Sequence, residues 1–349
     1  FFKKYYPVLA ITAVVVVFFW KFFLKGLIPI PADFIVGTYY PWLDYKWGYS
    51  TGVPVKNPIT SDVVSFFYPM QITAIETLKN GNLPFWNPYI LAGTPLLANF
   101  QSAPFSPTNL LYFVFDNISA WSFQIILQHF LAGLFTYLLL RHWKVTKFAS
   151  LFGGIIFAFS GFNIIWSQWN GHALTAAFFP LLILFTDRWL LKGKGLDGIL
   201  ISVSFALLLL SGYPQLALYL FLALFLLWAV RAFEIKGLIL KTAFLTLFLI
   251  IGVGLAAPQI LPGAELLSLS QRTIEDNPFD WAFLPWSKII TFFAPDFFGN
   301  HATQNYWGPQ NYTSNIGFVG IVSFSLALVA FGLVRIKKEV RYAVLLLAF

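Results

Sequence analysis

Long apolar segments recur along the chain and limit what it can fold into. Eight of them have roughly the 20 residues that an α-helix needs to cross the hydrocarbon core of a bilayer. Only 10% of the residues are charged, compared with roughly 25% in soluble domains. The segments are 6–24, 119–141, 148–166, 173–191, 196–212, 214–231, 238–257 and 315–334, and a ninth begins near 340. The sequence therefore predicts an all-α polytopic membrane protein with about nine transmembrane helices.

The fifth and sixth segments form one apolar run that is interrupted at 211–215, Ser-Gly-Tyr-Pro-Gln. Glycine and proline together favour a tight turn. We therefore expect two helices here and not one long helix.

The distribution of charge predicts the sidedness of these helices. If the N-terminus is cytoplasmic and the segments alternate, 15 of the 22 Lys and Arg residues but only 4 of the 14 Asp and Glu residues lie on the cytoplasmic side. Every cytoplasmic connection then carries Lys or Arg, as the positive-inside rule expects. The pattern indicates an integral protein of the cytoplasmic (plasma) membrane with its long loops outside. The net charge of +8 follows from this sidedness, so no nucleic-acid partner is expected.

Two long polar segments then lie outside the cytoplasm, at 29–118 and 258–314. The short turns at 167–172 and 211–215 face the same side and could contribute to one site. We interpret 1–349 as a single transmembrane domain. Because the chain begins with Phe1 and stops within an apolar run, we expect it to be part of a longer protein.

Several chemistries find no support in the sequence. Without cysteine there is no disulfide, thiolate metal site or thiol nucleophile. The four His residues lack metal-ligand spacing, and glycine-rich phosphate loops and the Gly-x-Ser-x-Gly motif do not occur. ATP-driven transport and serine hydrolysis are therefore not expected.

The first outer segment carries the leading catalytic candidate, Asp62. It precedes a helix predicted over 66–78, whose Phe67, Met70 and Ala74 share one apolar face. One interpretation is that Asp62 caps this helix by accepting free backbone N–H groups. The other is a general base near the membrane surface, because partial burial raises a carboxylate pKa. The residues leave both open.

Asp33 is the second candidate, since it directly follows the first span and so lies near the membrane surface. Asp44 is better explained as a solvated loop residue. Short interfacial helices are expected in this segment, the second of them from Ser106 to Phe115. In the second span, Gln124 and Gln128 are four residues apart and share a face, which favours hydrogen bonding between helices.

The second outer segment contains three further candidates. Arg272 follows a predicted helix, and a guanidinium there suits phosphate binding. Contact with a phospholipid headgroup explains it equally well. Lys288 is a second cation, and Asp296 is an isolated acid among aromatic residues, with turn formation before Gly299 as the alternative.

One stretch of the first outer segment reads Ser-Asp-Val-Val-Ser-Phe-Phe-Tyr-Pro, and another reads Leu-Pro-Phe-Trp-Asn-Pro. These stretches resemble the loops of the YfhO family of bacterial and archaeal membrane proteins. The resemblance extends over nearly the whole chain. Its motifs are 31–33, 39–42, 61–69, 83–88, 93–102, 157–161, 211–215 and 294–299.

The resemblance implies a GT-C-type glycosyltransferase, which moves a sugar from a polyprenyl-phosphate carrier in the membrane to an extracytoplasmic glycan, lipid or protein acceptor. The first outer loop of such enzymes usually carries the catalytic acid, and Asp62 and Asp33 occupy suitable positions. No adjacent Asp-Asp or Asp-Glu pair occurs in this loop, so a divalent cation (Mg or Mn) is possible but not indicated. As hypotheses from the residues themselves, Arg272 and Lys288 stabilise the donor phosphate, and His172, Gln215, Gln101 and Asp296 contact the substrate.

Two other functional classes remain open from the sequence. A lipid or glycolipid flippase or transporter needs polar residues along the middle of several spans. A non-catalytic scaffold for envelope assembly would use the outer loops for binding alone. Membrane lipids are expected partners in every case.

Overall fold

The computed structural model describes residues 2–270, 285–309, 311–313 and 317–333. These residues are mostly helical, with one two-stranded antiparallel ribbon of β1 (Trp86–Asn87) and β2 (Thr94–Pro95). The α-helices are α1 (Phe2–Phe18), α2 (Trp20–Lys25), α3 (Asp33–Thr38), α4 (Tyr68–Lys79), α5 (Asn117–His142), α6 (Lys147–Ala158), α7 (Gly161–Trp166), α8 (Gly171–Lys192), α9 (Gly195–Leu210), α10 (Pro214–Ala232), α11 (Leu238–Leu255), α12 (Ala257–Leu269) and α13 (Ile321–Leu333).

Four of the described helices, α5, α8, α10 and α11, are long and apolar enough to cross a membrane. A bent pair of helices, α6 with the helical segment 161–169, makes a fifth candidate. The apolar parts of α1 and α9 are shorter than 18 residues. The chain is therefore a mostly helical protein with four or five candidate spans in its described part. The predicted number of nine stays a prediction, and the ninth segment lies outside the described residues.

The predicted span 148–166 is broken because a serine starts a new helix inside it. α6 ends at Ala158, and Ser160 adopts an extended conformation and accepts the backbone N–H of Asn163. A serine in this position is a favourable N-cap. The two parts meet at 45°. The break at 211–213 is the one predicted, since α10 begins at Pro214.

The centre of the bundle is α8, which packs against α5, α9 and α10. The most apolar 18-residue stretch of α8 is 78% buried, compared with 11% for the corresponding stretch of α11. Leu182, Leu190, Ile201 and Leu208 form the middle of the largest apolar cluster. α8 is thus enclosed by other helices, whereas α11 presents most of its surface to the surroundings.

Contacts between distant segments show which connections lie at the same end of the bundle. At one end, Trp169 hydrogen-bonds Asp62, and Gln259 donates to the Leu97 carbonyl. At the other end, Asp187 of α8 binds His142 and Arg231. The first end gathers the segments that the charge pattern places outside, and we call it the outer end.

The helix predicted over 66–78 begins earlier, as a π-helical turn at Val63–Phe67 that continues into α4. Its predicted apolar face is buried, with Met70 and Ala74 at most 2% exposed. These two side chains pack against Leu96. The protein itself therefore covers this face, whereas the sequence predicts that the face lies on the bilayer surface.

A buried hydrogen-bond network fixes this outer segment on the bundle. Gln124 of α5 donates to Asn109 at 2.8 Å, and its carbonyl oxygen accepts from Tyr112 at 3.0 Å and from Asn170. Gln71 of α4 also donates to Asn109, at 2.8 Å. All five side chains are at most 7% exposed. The expectation that the glutamines of α5 take part in hydrogen bonding between elements is thus met by Gln124.

Replacing Gln124 by Leu is expected to destabilise the fold by about 2 kcal/mol, because several buried polar groups lose a partner and each costs about 1–3 kcal/mol. The measurement is the free energy of unfolding of the purified protein in mixed detergent micelles. Replacing Thr12, which hydrogen-bonds only within its own helix turn at an exposed position, by Ala is the matched control. Equal stability of the Gln124 variant and the wild type would contradict the structural role of the network.

Candidate functional site

Asp62 lies at the outer end of the bundle, directly before the π-helical turn. The indole Nε1 of Trp169 donates a hydrogen bond to Asp62 Oδ1 at 2.9 Å. Trp169 is buried and ends a short helical turn, Ser167–Trp169, that leads into α8. The tertiary fold thus joins a loop carboxylate to a turn between two apolar helices.

The Asp62 carboxylate is half-buried, and this burial raises its pKa above the ordinary value for aspartate. The hydrogen bond from Trp169 opposes the rise, because it stabilises the charged form. The Asp62 side chain does not make the usual N-cap hydrogen bond to the turn that follows. The backbone N–H of Val63 nevertheless stabilises the carboxylate, so the cap and the general base both stay predictions for Asp62. A raised pKa makes a carboxylate a better proton acceptor than it is in water, and the role of Asp62 as a general base stays a prediction.

An aromatic cluster continues from Trp169 to His172. The His172 ring stacks on Trp166 with centroids 5.0 Å apart, and its centroid is 3.7 Å from that of Tyr213. Trp166 and Trp169 are 4.9 Å apart. His172 is buried, and its Nδ1 has no hydrogen-bond partner among the described residues. The wall beside Asp62 is therefore made of rings, with one ring nitrogen uncommitted.

Two predicted substrate contacts lie around the neighbouring turn. Gln215 is exposed, and its Oε1 is 3.4 Å from the Tyr213 hydroxyl. Gln101 belongs to a helical turn, Phe100–Ser102, whose backbone lies against Gly212. The structure thus places Gln101 and Gln215 at the same turn, next to the aromatic cluster. Their contact with a sugar stays a prediction.

Asp33 lines a cavity of about 310 Å³ beside this cluster. Its Oδ2 accepts the backbone N–H of Lys56 at 2.9 Å. Thr60 and Ser167 also line the cavity. Thr60 is two residues before Asp62 in the chain, and Ser167 is two residues before Trp169. Asp33 therefore lines the cavity, whereas Asp62 is not one of its lining residues, and no hydrogen bond joins the two acids in the part of the chain that is described.

Lys288 and Asp296 belong to a separate cluster in the second outer segment. Lys288 is 2% exposed, and its Nζ donates to the Tyr306 hydroxyl at 2.5 Å. The ammonium also lies 5.3 Å from the centroid of the Phe298 ring. Burial lowers the pKa of Lys288. Asp296 accepts a hydrogen bond from Tyr312 at 2.6 Å. Across the described ranges, no hydrogen bond connects either residue with Asp62.

Arg272 lies outside the described residues. Within those that are described, no group of three or more His, Asp or Glu side chains is placed to hold a metal ion. A divalent cation accordingly stays a possibility from the sequence alone.

Sequence reasoning did not single out Trp166, Trp169, Tyr213 or Lys56 as parts of a site. Two tryptophans three residues apart, next to His172 in a turn between apolar segments, could have indicated the aromatic wall. Nothing in the sequence pairs Lys56 with Asp33, because the two are 23 residues apart.

Comparisons of the chain with protein-family models, with curated proteins and with solved structures found no match.

Proposed function

We propose that the chain is a membrane glycosyltransferase of the GT-C type, related to the YfhO family that its loops resemble. It moves a sugar from a polyprenyl-phosphate carrier to an extracytoplasmic acceptor. The observation that carries the proposal is a half-buried carboxylate, Asp62, with a raised pKa, set against an aromatic wall at the outer end of the bundle. In this proposal the protein lies in the cytoplasmic membrane with its N-terminus in the cytoplasm.

The lining of the cavity beside Asp33 supports a sugar donor that carries a lipid chain. Its lining combines apolar side chains of the helices, such as Phe18 and Ile164, with polar side chains such as Asp33 and Ser167. Phe18 and Ile164 are also partly exposed. An amphipathic cavity of this kind admits a polar head while its hydrocarbon chain stays in the bilayer.

In the proposed reaction, Asp62 acts on the sugar acceptor. The configuration at the anomeric carbon of the transferred sugar is either inverted or retained. In the single-displacement form, Asp62 takes the proton of an acceptor hydroxyl as that oxygen forms a bond to the anomeric carbon. The bond between the anomeric carbon and the phosphate oxygen breaks, and the carrier leaves as polyprenyl phosphate. Hydrogen-bond donors close to the leaving phosphate oxygen stabilise the negative charge that develops on it. Lys288 and Arg272 stay predictions for that role, and Asp33 stays a prediction as a second acid.

Transport is not favoured by the polar residues inside the bundle. Gln124 is hydrogen-bonded to Asn109, Tyr112 and Asn170, and Gln128 donates to Asn170 at 2.6 Å. These side chains hold one element on another. A purely structural scaffold is the outcome if no transfer is found.

The test uses the full chain in membrane vesicles with a panel of radiolabelled polyprenyl-phosphate hexoses. We expect label to move to a product, with release of polyprenyl phosphate, only in vesicles that contain the protein. Vesicles that contain the folded protein and release no carrier from any hexose donor would overturn the proposal.

The pH profile of transfer is expected to follow the protonation of Asp62. The base acts only when it is ionised, and burial raises the pKa of Asp62. The rate should therefore fall as the pH drops through a value above the roughly 3.9 of free aspartate. Replacing Trp169 by Phe removes the opposing hydrogen bond and should move this acid limb to still higher pH. Trp166→Phe is the control, since Trp166 stacks in the same cluster without bonding Asp62. Superimposable acid limbs for Trp169→Phe and the wild type would contradict the assignment.

A further inference from the structure

The cavity beside Asp33 has an apolar part and a polar part. Its apolar lining comes from α1, α5 and α7, from Phe19 after α1, and from the segment that follows α2. Its polar lining comes from the first outer segment and the turn before α8. The apolar residues are Phe18, Phe19, Ile28, Pro29, Ile30, Pro31, Ile125 and Ile164. A ligand that fits this lining has a hydrocarbon portion and a polar head.

Most hydrogen-bond donors of the polar part are already used within the protein. The Ser167 hydroxyl donates to the Ile164 carbonyl, and the Gln168 amide donates to the Ile165 carbonyl. The Thr60 hydroxyl donates to the backbone of Asn57. Asn57 also lines the cavity and accepts the Ile59 N–H through its Oδ1, which leaves Lys56 and Asp33 as the charged residues of the lining.

Lys56 is the cation that lines this cavity. Its side chain is exposed, and no ion pair involves it among the residues that the structure describes. An ammonium in this position is free to bind an anion, and phosphate is a common partner of lysine. Lys288, by comparison, is almost completely enclosed by Phe298 and Tyr306.

Asp33 holds the backbone of Lys56 in place. The carboxylate accepts the Lys56 N–H at 2.9 Å, and so ties the start of α3 to the extended segment that carries the lysine. A carboxylate such as that of Asp33 would repel a phosphate bound close to it, because both groups are negatively charged. The hydrogen bond explains why an acid is nevertheless found there.

We propose that this cavity binds the phosphate and the first part of the hydrocarbon chain of a polyprenyl phosphate, with Lys56 as the phosphate contact and Asp33 as a positioning residue. The inference rests on the proposed function and deepens it, since it moves the donor phosphate from the second outer segment to the first. About 310 Å³ is at the lower end of ligand cavities, so the remaining chain stays in the bilayer.

The first experiment measures binding of a fluorescent polyprenyl phosphate to the full-length protein in nanodiscs made of zwitterionic lipid. Lys56→Gln should weaken binding about fivefold to tenfold, because a charge-assisted hydrogen bond is lost. Lys56→Arg should retain most of the affinity. Lys46→Gln, at an exposed lysine of the same outer segment, is the matched control and should bind like the wild type. Unchanged affinity in Lys56→Gln would overturn the proposal.

Competing ligands identify which part of the lipid is recognised. Unlabelled polyprenyl phosphate should displace the probe, whereas the corresponding prenol, inorganic phosphate and phosphatidic acid should do so much more weakly. Equal displacement by prenol would exclude a phosphate contact. Equal displacement by inorganic phosphate would indicate a free-phosphate site, and equal displacement by phosphatidic acid would indicate a site for bulk phospholipid. Each of these three results overturns the proposal.

The role of Asp33 is separated from catalysis by two substitutions. Asn keeps an oxygen that accepts the Lys56 N–H, so Asp33→Asn should bind the probe as tightly as the wild type or more tightly. Asp33→Ala removes the acceptor and should raise KM for the donor about threefold to fivefold. Loss of kcat in Asp33→Asn would instead identify Asp33 as a catalytic acid.

The binding results stand apart from the proposed function. If the protein binds polyprenyl phosphate through Lys56 but transfers no hexose, the inference holds and the transferase proposal fails. If it transfers hexose while Lys56→Gln leaves both donor KM and binding unchanged, the transferase proposal holds and the inference fails.

Discussion

Replacing Asp62 by Asn is expected to reduce sugar transfer by about 10²- to 10⁴-fold, the usual contribution of a general base. Asn has nearly the same volume, and its oxygen still accepts the hydrogen bond from Trp169. The substitution therefore removes the ability to take a proton and little else. The measurement is the initial rate of label transfer from polyprenyl-phosphate hexose in vesicles, normalised to the amount of folded protein.

Asp44→Asn is the matched control for this experiment. Asp44 lies in the same outer segment, and it is exposed. We expect its variant to transfer sugar at the wild-type rate. If Asp62→Asn retains the full rate, Asp62 is not the base. If both variants lose activity to the same extent, the loss is caused by the reduced negative charge of the outer segment and not by the loss of a single catalytic group.

Replacing Asp187 by Ala is expected to destabilise the protein by about 3–5 kcal/mol, because it breaks a buried ion pair. Asp187 is completely buried, and its Oδ1 accepts a hydrogen bond from Arg231 Nε at 2.7 Å. His142 and Trp143 bind the other carboxylate oxygen at 2.8 and 3.1 Å. Three side chains, from the end of α5 and from α10, therefore depend on one carboxylate of α8. The measurement is the free energy of unfolding in mixed detergent micelles.

Glu76→Gln provides the comparison for that experiment. Glu76 pairs with Lys79 at 2.9 Å, but both side chains are substantially exposed. Exposed pairs contribute about 0–1 kcal/mol, so this variant should unfold almost like the wild type. A loss of stability in Asp187→Ala no larger than that of Glu76→Gln would show that the buried cluster does not hold the bundle together.

The amphipathic pattern of the first outer segment predicted local structure well. The residues of its apolar face are those that become buried, and the helix ends at Lys79, close to the predicted end at residue 78 and shortly before Gly81, which has a positive φ. These features follow from side-chain periodicity and turn chemistry, which act between residues close in the chain. What covers the face could not be predicted, because Leu96 follows β2, in a separate part of the chain.

The site itself was predicted only in part. Asp62 stood out as an isolated acid before a helix, and His172 stood out in a short outer turn. The hydrogen bond from Trp169 to Asp62 spans 107 positions, and no local pattern contains it. The same holds for Lys56, whose importance depends on a cavity that several separate segments form together.

By itself, the sequence determined that this is a helical membrane protein with its acids concentrated in two long polar segments, because apolar length and charge distribution act segment by segment. Only the tertiary structure decided that Asp62 is half-buried beside an aromatic wall, that Asp33 holds Lys56 at an amphipathic cavity, and that Lys288 is enclosed elsewhere. Burial and pairing depend on which distant segments meet, and that is decided by how the whole bundle packs.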